Sequence, residues 1–377
     1  MREIGIYIHI PFCVTKCKYC DFNSYAGHER FFNQYVVAIT KEIFQNKNKY
    51  NDCEVSTIFI GGGTPSCVPQ GVIATILSEI KNNYNILENA EITIECNPNS
   101  VTYSKALEWY MAGVNRVSVG LQSSRNNLLK IIGRTHNKQD YVNAINIIKS
   151  VGFKNINTDL MLGLPRQKMS DVKKSIVLAK AIGCKHISLY SLILEENTQL
   201  YKEVKSGIVK LPNEKKVVGM MVQSNKLLKQ HGFERYEVSN FSLPGFECKH
   251  NVNCWKMVEY VGFGAGAHSY YDNKRWSNFC GIEKYIKAMQ SKSEAIEAVE
   301  KLNKSDIIEE YIMLGLRLVE GININKLKEI AGFDLLKVRG RELEQLIKLQ
   351  LISLENRVLK ATDYGFLFLN KIIEMLV

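Results

Sequence analysis

No uncharged apolar run in these 377 residues approaches the roughly 18 that would suggest a membrane span. The N-terminus has no basic leading segment, no long apolar stretch and no small-residue cleavage site, so no secretory signal is read and a cytoplasmic protein is expected. Arginine-rich tracts and interleaved aromatic-basic motifs are also missing. The net charge of +11, from 49 Lys and Arg against 38 Asp and Glu, is therefore read as a solvated surface, with no nucleic-acid partner. A charge of this sign does suit a carboxylate-bearing ligand, or peripheral contact with an anionic membrane surface. Disordered, collagen-like and coiled-coil readings fall to composition, with 46% hydrophobic and 23% charged residues. Length points to two or three domains.

What is present is an alternation of strand and helix. Apolar β-rich runs occur at Ile4–Ile10, Thr57–Ile60, Glu91–Glu95, Arg116–Leu121, Asn155–Leu160 and His186–Leu192. Amphipathic stretches separate them, at Arg30–Phe44, Val72–Asn82, Ser104–Met111, Tyr141–Ser150 and Asp171–Ala181. Strict alternation predicts an α/β fold with a parallel sheet and helices outside it. Strands such as Glu91-Ile92-Thr93-Ile94-Glu95 put polar residues on one face, whereas flat sheets buried on both sides are apolar throughout. A curved sheet around a polar interior is expected, short of the eight strands of a closed barrel. Residues 236–281 are rich in Gly, Asn, Ser and aromatics and read as an irregular connecting segment. Helical patterns at Ser305–Glu320, Asn325–Ala331 and Leu335–Leu349 predict a C-terminal helical domain over 282–377, after a first domain over 1–235.

Ten cysteines without a secretory signal do not read as a disulfide framework. Seven (Cys53, Cys67, Cys96, Cys184, Cys248, Cys254 and Cys280) are dispersed and are expected to pack as small apolar residues. The other three follow the first strand in Pro11-Phe12-Cys13-Val14-Thr15-Lys16-Cys17-Lys18-Tyr19-Cys20. Four thiolates would close a zinc or iron-sulfur site, but three in one loop do not. On a [4Fe-4S] cube three ligands leave one iron open, and the amino and carboxylate groups of S-adenosylmethionine can chelate it. A Cys3His zinc site with a distant fourth ligand competes for the same residues, as does chance clustering.

The CxxxCxxC spacing, with Tyr19 before the last cysteine, resembles that of the radical S-adenosylmethionine superfamily. Tyr7-Ile8-His9-Ile10-Pro11-Phe12-Cys13 resembles the start of its coproporphyrinogen oxidase-like branch. Gly61-Gly62-Gly63-Thr64-Pro65, Glu95-Cys96-Asn97-Pro98, Gln122, Arg134, Asp159 and Gly163-Leu164-Pro165 fall at strand ends with the spacing of that branch. Similar blocks continue at Arg235–Phe241, Gly262–Ser269 and Leu314–Arg317, so the likeness spans the chain. It implies a partial (β/α)6 TIM-like barrel of the radical SAM type with a mainly helical C-terminal domain. Cys13, Cys17 and Cys20 would hold the cluster. Gly62, Gly63, Thr64, Glu95, Gln122, Arg134 and Asp159 would surround the S-adenosylmethionine, with Tyr7 and Tyr19 beside them. Each of these polar residues, taken singly, could equally be a hydrogen-bonded part of the scaffold.

Within the branch, the oxygen-independent coproporphyrinogen III oxidase carries CxxxCxxCxC and an arm before its first strand. Here Asp21-Phe22 follows Cys20, and the first strand begins near Met1. Both features resemble the haem-chaperone (HemW) group, as does Cys248-Lys249-His250-Asn251-Val252-Asn253-Cys254-Trp255, which is similar to that group's HNxxYW signature with Cys254 in place of Tyr. The resemblance implies haem as bound cargo, delivery to recipient haemoproteins such as respiratory proteins, and a reductant for the cluster. His250 and Cys254 are candidate haem ligands, since imidazole and thiolate both serve as axial ligands. Either could instead be scaffold or core. No CxxCH for covalent attachment is present. The oxidase is the alternative function, and the oligomeric state stays open.

Overall fold

The computed structural model describes residues 1–291 and 294–377. Six parallel strands lie side by side in chain order: β1 (Arg2–Ile10), β2 (Cys53–Gly62), β3 (Ile86–Cys96), β4 (Arg116–Gln122), β5 (Asn155–Leu162) and β6 (His186–Ser191). The connecting helices are α1 (Phe32–Asn46), α2 (Val72–Asn83), α3 (Tyr103–Met111), α4 (Asn126–Ile131), α5 (Lys138–Val151) and α6 (Met169–Ala181). Local chemistry sets their ends. Asn137 and Asp140 form a reciprocal capping box at the start of α5, and Gly152, at φ +120°, ends it in a conformation that side chains resist. Between these ends Tyr141, Ala144, Ile145 and Ile148 repeat at helical spacing and are buried.

The strands' alternation separates two environments. Ile4, Ile6, Ile8 and Ile10 of β1 are all fully buried in the main hydrophobic core. Fully burying one such side chain contributes about 1.5–3 kcal/mol. The opposite face supplies a buried polar interior: Thr57, Glu91, Thr93, Arg116, Ser118, Asn157 and His186. A polar interior fits a curved sheet, and the sheet keeps two free edges rather than closing.

After β6 come α7 (Gln199–Lys205) and α8 (Glu214–Gln230). Strand β7 (Glu234–Arg235) follows, and the stretch expected to be irregular then adds regular structure of its own: β8 (Asn240–Ser242), α9 (Lys249–Trp255), β9 (Tyr260–Phe263), β10 (His268–Tyr271) and β11 (Lys274–Asn278). Strand β9 pairs parallel with β1, and the others extend the edges antiparallel. With β12 (Ile296–Lys301), the sheet order is β12-β11-β10-β9-β1-β2-β3-β4-β5-β6-β8-β7, twelve strands among the described residues. Short strands separated by tight Gly and Asn turns carry too little periodicity to read as strands. Helix α10 (Ile282–Gln290) buries Tyr285 in the same core.

A second, separate core occupies residues 312–376. Around it lie α11 (Lys304–Gly315), α12 (Ile324–Ala331), α13 (Leu335–Val338), α14 (Gly340–Lys348) and α15 (Leu369–Leu376). The single helix expected over Leu335–Leu349 breaks at Arg339, which leaves helical geometry at φ −121°, ψ 26°. A three-stranded sheet of β13 (Ile322–Asn323), β14 (Ile352–Glu355) and β15 (Val358–Ala361) completes this mainly helical unit. Among the described residues no helix is long and apolar enough to cross a membrane.

Candidate iron-sulfur and cofactor site

Strand β1 delivers the chain directly into the cysteine loop, and the end of β2 holds the loop from below. Gly63 N–H donates to the Ile10 carbonyl at 2.8 Å and Thr64 N–H to the Phe12 carbonyl at 2.7 Å. The Phe12 ring packs edge-on against Phe32 and Tyr35, with centroids 4.6 and 5.2 Å away. On the far side Lys18 N–H donates to the Ile132 carbonyl at 3.1 Å, and Leu200 N–H donates to the Lys18 carbonyl at 2.8 Å. The Lys18 ammonium also pairs with Glu203 at 2.7 Å. The loop is therefore fixed at both flanks before any ligand binds. Gly62 adopts φ +111°, and a methyl group there would meet the His9 ring at 2.7 Å, so these glycines serve the packing of the cysteine loop itself.

Cys13, Cys17 and Cys20 are free thiols that line one cavity of about 510 Å³. Cys13 Sγ lies 3.3 Å from Thr64 Oγ1, and Arg134 Nη1 points at Cys17 Sγ from 3.6 Å. Burial raises the thiols of Cys13 and Cys20. Among the described residues no group of three or more His, Cys, Asp and Glu side chains is gathered tightly enough for a single ion. The fit of a cluster rests instead on the loop's chemistry: three soft ligands, none in a disulfide, facing one space.

Gly62, Gly63, Thr64, Glu95, Gln122, Arg134, Asp159 and Tyr19 line the same cavity. The structure thus brings together every residue expected around the cofactor except Tyr7. That tyrosine lies on β1 beneath the cavity, its hydroxyl 3.0 Å from His9 Nδ1 and its ring stacked on Phe59. Glu95 is pushed up to about 8, first by burial and then by the nearby Asp159. Two carboxyl groups, Glu95 and Asp159, thus face the same space. Gln122 takes φ +63°, rare for a residue with a side chain, where the pairing of β4 and β5 shifts register. Its Oε1 accepts from the Tyr190 hydroxyl at 2.9 Å. Arg134 Nη2 donates to the Gly120 carbonyl at 2.8 Å and its Nε faces His136 Nδ1 at 3.3 Å, which fixes the guanidinium beside the Cys17 thiol.

Comparison with known proteins settles the family. The Radical SAM superfamily profile matches residues 7–179, and the HemN C-terminal domain profile matches residues 302–368. The heme chaperone HemW of Lactococcus lactis is 35% identical over 368 residues, which cover 98% of this chain and 96% of that one. The chain belongs to the HemW family of radical SAM proteins. HemW of Bacillus subtilis is 33% identical over 97% of both chains, and HemW of Escherichia coli is 36% identical over 71% of this chain and 70% of its own. The structure of the coproporphyrinogen III oxidase HemN from Escherichia coli superposes with a TM-score of 0.87. It covers 100% of this chain and 90% of its own at 20% identity, so that likeness shows the shared fold.

The block that resembles the HemW signature lies away from the cavity. His250 lies in the first turn of α9, is 6% exposed, stacks on Phe59 at 5.2 Å and meets Thr57 Oγ1 through Nδ1 at 2.9 Å. Burial lowers it to about 4, so the ring stays neutral. Burial also raises Cys254 to about 11, which disfavours a thiolate there. Neither residue lines the space that holds the three thiols. Sequence reading gave no role to Asn97, Met161, Ser188 or Tyr190, which also line it. The alternation of Ser188 and Tyr190 on β6 was the available signal, since both face the interior at a strand end.

Proposed function

We propose that Cys13, Cys17 and Cys20 hold a [4Fe-4S] cluster, with S-adenosylmethionine bound beside it, in a protein that binds haem and hands it to recipient haemoproteins. The observation that carries the cofactor reading is the joint enclosure of three free thiols and two carboxylates, Glu95 and Asp159, in one cavity. Thiolates supply the ligands of such a cluster. When bound, the cluster supplies one-electron chemistry at an iron with an open position. Glu95 and Asp159 offer acceptors to ammonium and hydroxyl groups, and Arg134 offers donors to a carboxylate. Tyr19, packed against the core of Met161 and Leu164, closes the side of the site.

Haem enters this reading through the relatives, whose name is heme chaperone. The +11 charge supports binding of a dicarboxylate cargo, and supports passing contact with an anionic membrane surface where recipients would be met. A cytoplasmic place of action and a separate reductant belong to the same proposal. Titration of the reconstituted protein with haem under anaerobic conditions, followed by addition of an apo-haemoprotein, tests it. Saturable binding at one haem per chain and transfer of the absorbance to the acceptor are expected. No saturable binding would contradict the carrier function. Absence of flotation with anionic liposomes would remove the membrane contact alone.

A further inference from the structure

The polar interior beneath the cavity is ordered in one direction. Cys248 N–H, at the entry to α9, donates to the Tyr236 hydroxyl at 3.2 Å, which lies 2.7 Å from His186 Nε2. His186 Nδ1 lies 2.6 Å from Asn157 Oδ1, and Asn157 Nδ2 donates to Asp159 Oδ1 at 2.7 Å. The donor roles follow from chemistry. Asp159 accepts, so Asn157 must present its amide nitrogen there and its oxygen to His186. An amide oxygen only accepts, so His186 carries its proton on Nδ1. Burial and the neighbouring Arg116 guanidinium hold His186 well below its usual range, so the ring is neutral and its Nε2 accepts from Tyr236. Every hydrogen bond therefore points from α9 toward the Asp159 carboxylate.

Side branches lock the same arrangement. Asn157 Nδ2 also donates to Ser118 Oγ at 2.7 Å, and Ser118 Oγ donates to Asp159 Oδ2 at 3.3 Å. Ser188 donates to Asn157 Oδ1 through both N–H and Oγ at 3.2 Å. At the other end Glu91 accepts from the N–H groups of Lys249 and His250 at 3.2 and 3.1 Å, which fixes the first turn of α9. Asn157 and His186 are 2% and 0% exposed, so water cannot substitute for a lost partner.

The geometry points to Asn157, His186 and Tyr236 as positioning residues that hold the Asp159 carboxylate for its ligand and tie it to the entry of α9. This rests on the reading that Asp159 faces S-adenosylmethionine. The signature block then acts on the cofactor side of the barrel through Tyr236, with its own side chains in the scaffold.

The test is a double-substitution cycle on the cluster-reconstituted full chain, with S-adenosylmethionine affinity measured by anaerobic equilibrium dialysis and thermal unfolding run in parallel. Tyr236→Phe removes one hydroxyl at constant shape, and Asp159→Ala removes the end point. Asp159→Ala is expected to weaken binding at least roughly 10-fold, and Tyr236→Phe by roughly 3–10-fold, the worth of one hydrogen bond. In the Asp159→Ala background Tyr236→Phe should have no further effect, a coupling that general loosening of the fold would not produce. Asn157→Leu should approach Asp159→Ala in size; if it does not fold, Tyr236→Phe still carries the test. Unchanged affinity in Tyr236→Phe, or a full additive loss in the double variant, would overturn the positioning role. Unchanged affinity in Asp159→Ala would instead overturn the placement of the cofactor at Asp159, and the positioning role with it.

Discussion

Gly63 lies so close to Phe12 that a methyl group on it would stand 2.6 Å from the Phe12 carbonyl oxygen, with the Ile10 carbonyl at 3.0 Å. Both obstacles are backbone, one at the end of β1 and one in the cysteine loop, so neither can swing aside. Gly63→Ala must push the loop away from β2 and misplace Cys13. Iron and acid-labile sulfide per chain after reconstitution should fall by half or more, while Gly219→Ala, with open space around it, should retain both. Equal cluster content in the two variants would show that the loop tolerates displacement.

Glu95 gives a pH signature in the cluster-free protein. Its folded-state value of about 8 exceeds the ordinary 4.5, so between these values the folded chain holds a proton that the unfolded chain has lost. Stability contributed by the protonated form is present at low pH and is lost as pH rises through about 8. Glu95→Gln cannot ionise and escapes that loss. The melting temperature of the variant relative to the parent should therefore rise between pH 5 and pH 9, as read by calorimetry. A difference independent of pH would mean that the carboxyl is already ionised at pH 5 or is hydrated.

Glu42 makes the opposite kind of claim, for structure alone. Its carboxylate accepts from Gly264 N–H at 2.9 Å, Asn278 Nδ2 at 2.6 Å and Tyr285 Oη at 2.6 Å, all within the core. Leaving several buried donors unpaired costs about 1–3 kcal/mol each. Glu42→Ala should lose roughly 3 kcal/mol or more in denaturant unfolding, and Glu42→Gln, which keeps an acceptor, much less. Similar losses in both would point to packing rather than hydrogen bonding. In this light the Gly262-Phe263-Gly264-Ala265-Gly266 block serves the fold, since a methyl group on Gly264 would lie 2.5 Å from the Tyr35 hydroxyl.

His250 is enclosed by Phe59, Thr57 and the backbone of Gly5. His250→Ala is expected to lower thermal stability by several degrees and to leave the haem absorbance spectrum unchanged. A shifted Soret band in this variant would show that the block opens and that the imidazole reaches iron.

Much of the parallel sheet was legible because β1 to β6 and their helices each carry a long, regular period. The ends of α5 lie beyond the expected Tyr141–Ser150 stretch, where Asn137 and Gly152 cap it. The residues that line the cavity with the three thiols were legible because the cysteine loop fixes which strand ends matter. What escaped was short or non-local. Tyr260–Phe263 pairs with β1 across more than 250 residues of chain, and four residues show no usable period. The chain from Tyr236 through His186 and Asn157 joins residues 50 and 29 positions apart, a relationship that only the folded interior creates. The displacement of His250 from the thiols was hidden for the same reason, since sequence spacing does not tell which end of a barrel a residue occupies.

The most direct measurement is a single anaerobic incubation of the reconstituted, reduced protein with S-adenosylmethionine and coproporphyrinogen III, analysed by chromatography. An intact cluster that binds S-adenosylmethionine and yields no decarboxylated porphyrin product is the result predicted for a haem carrier built on this scaffold. Stoichiometric formation of decarboxylated product with 5′-deoxyadenosine would contradict it and make the protein an oxidase, with Phe22 in place of the extra cysteine.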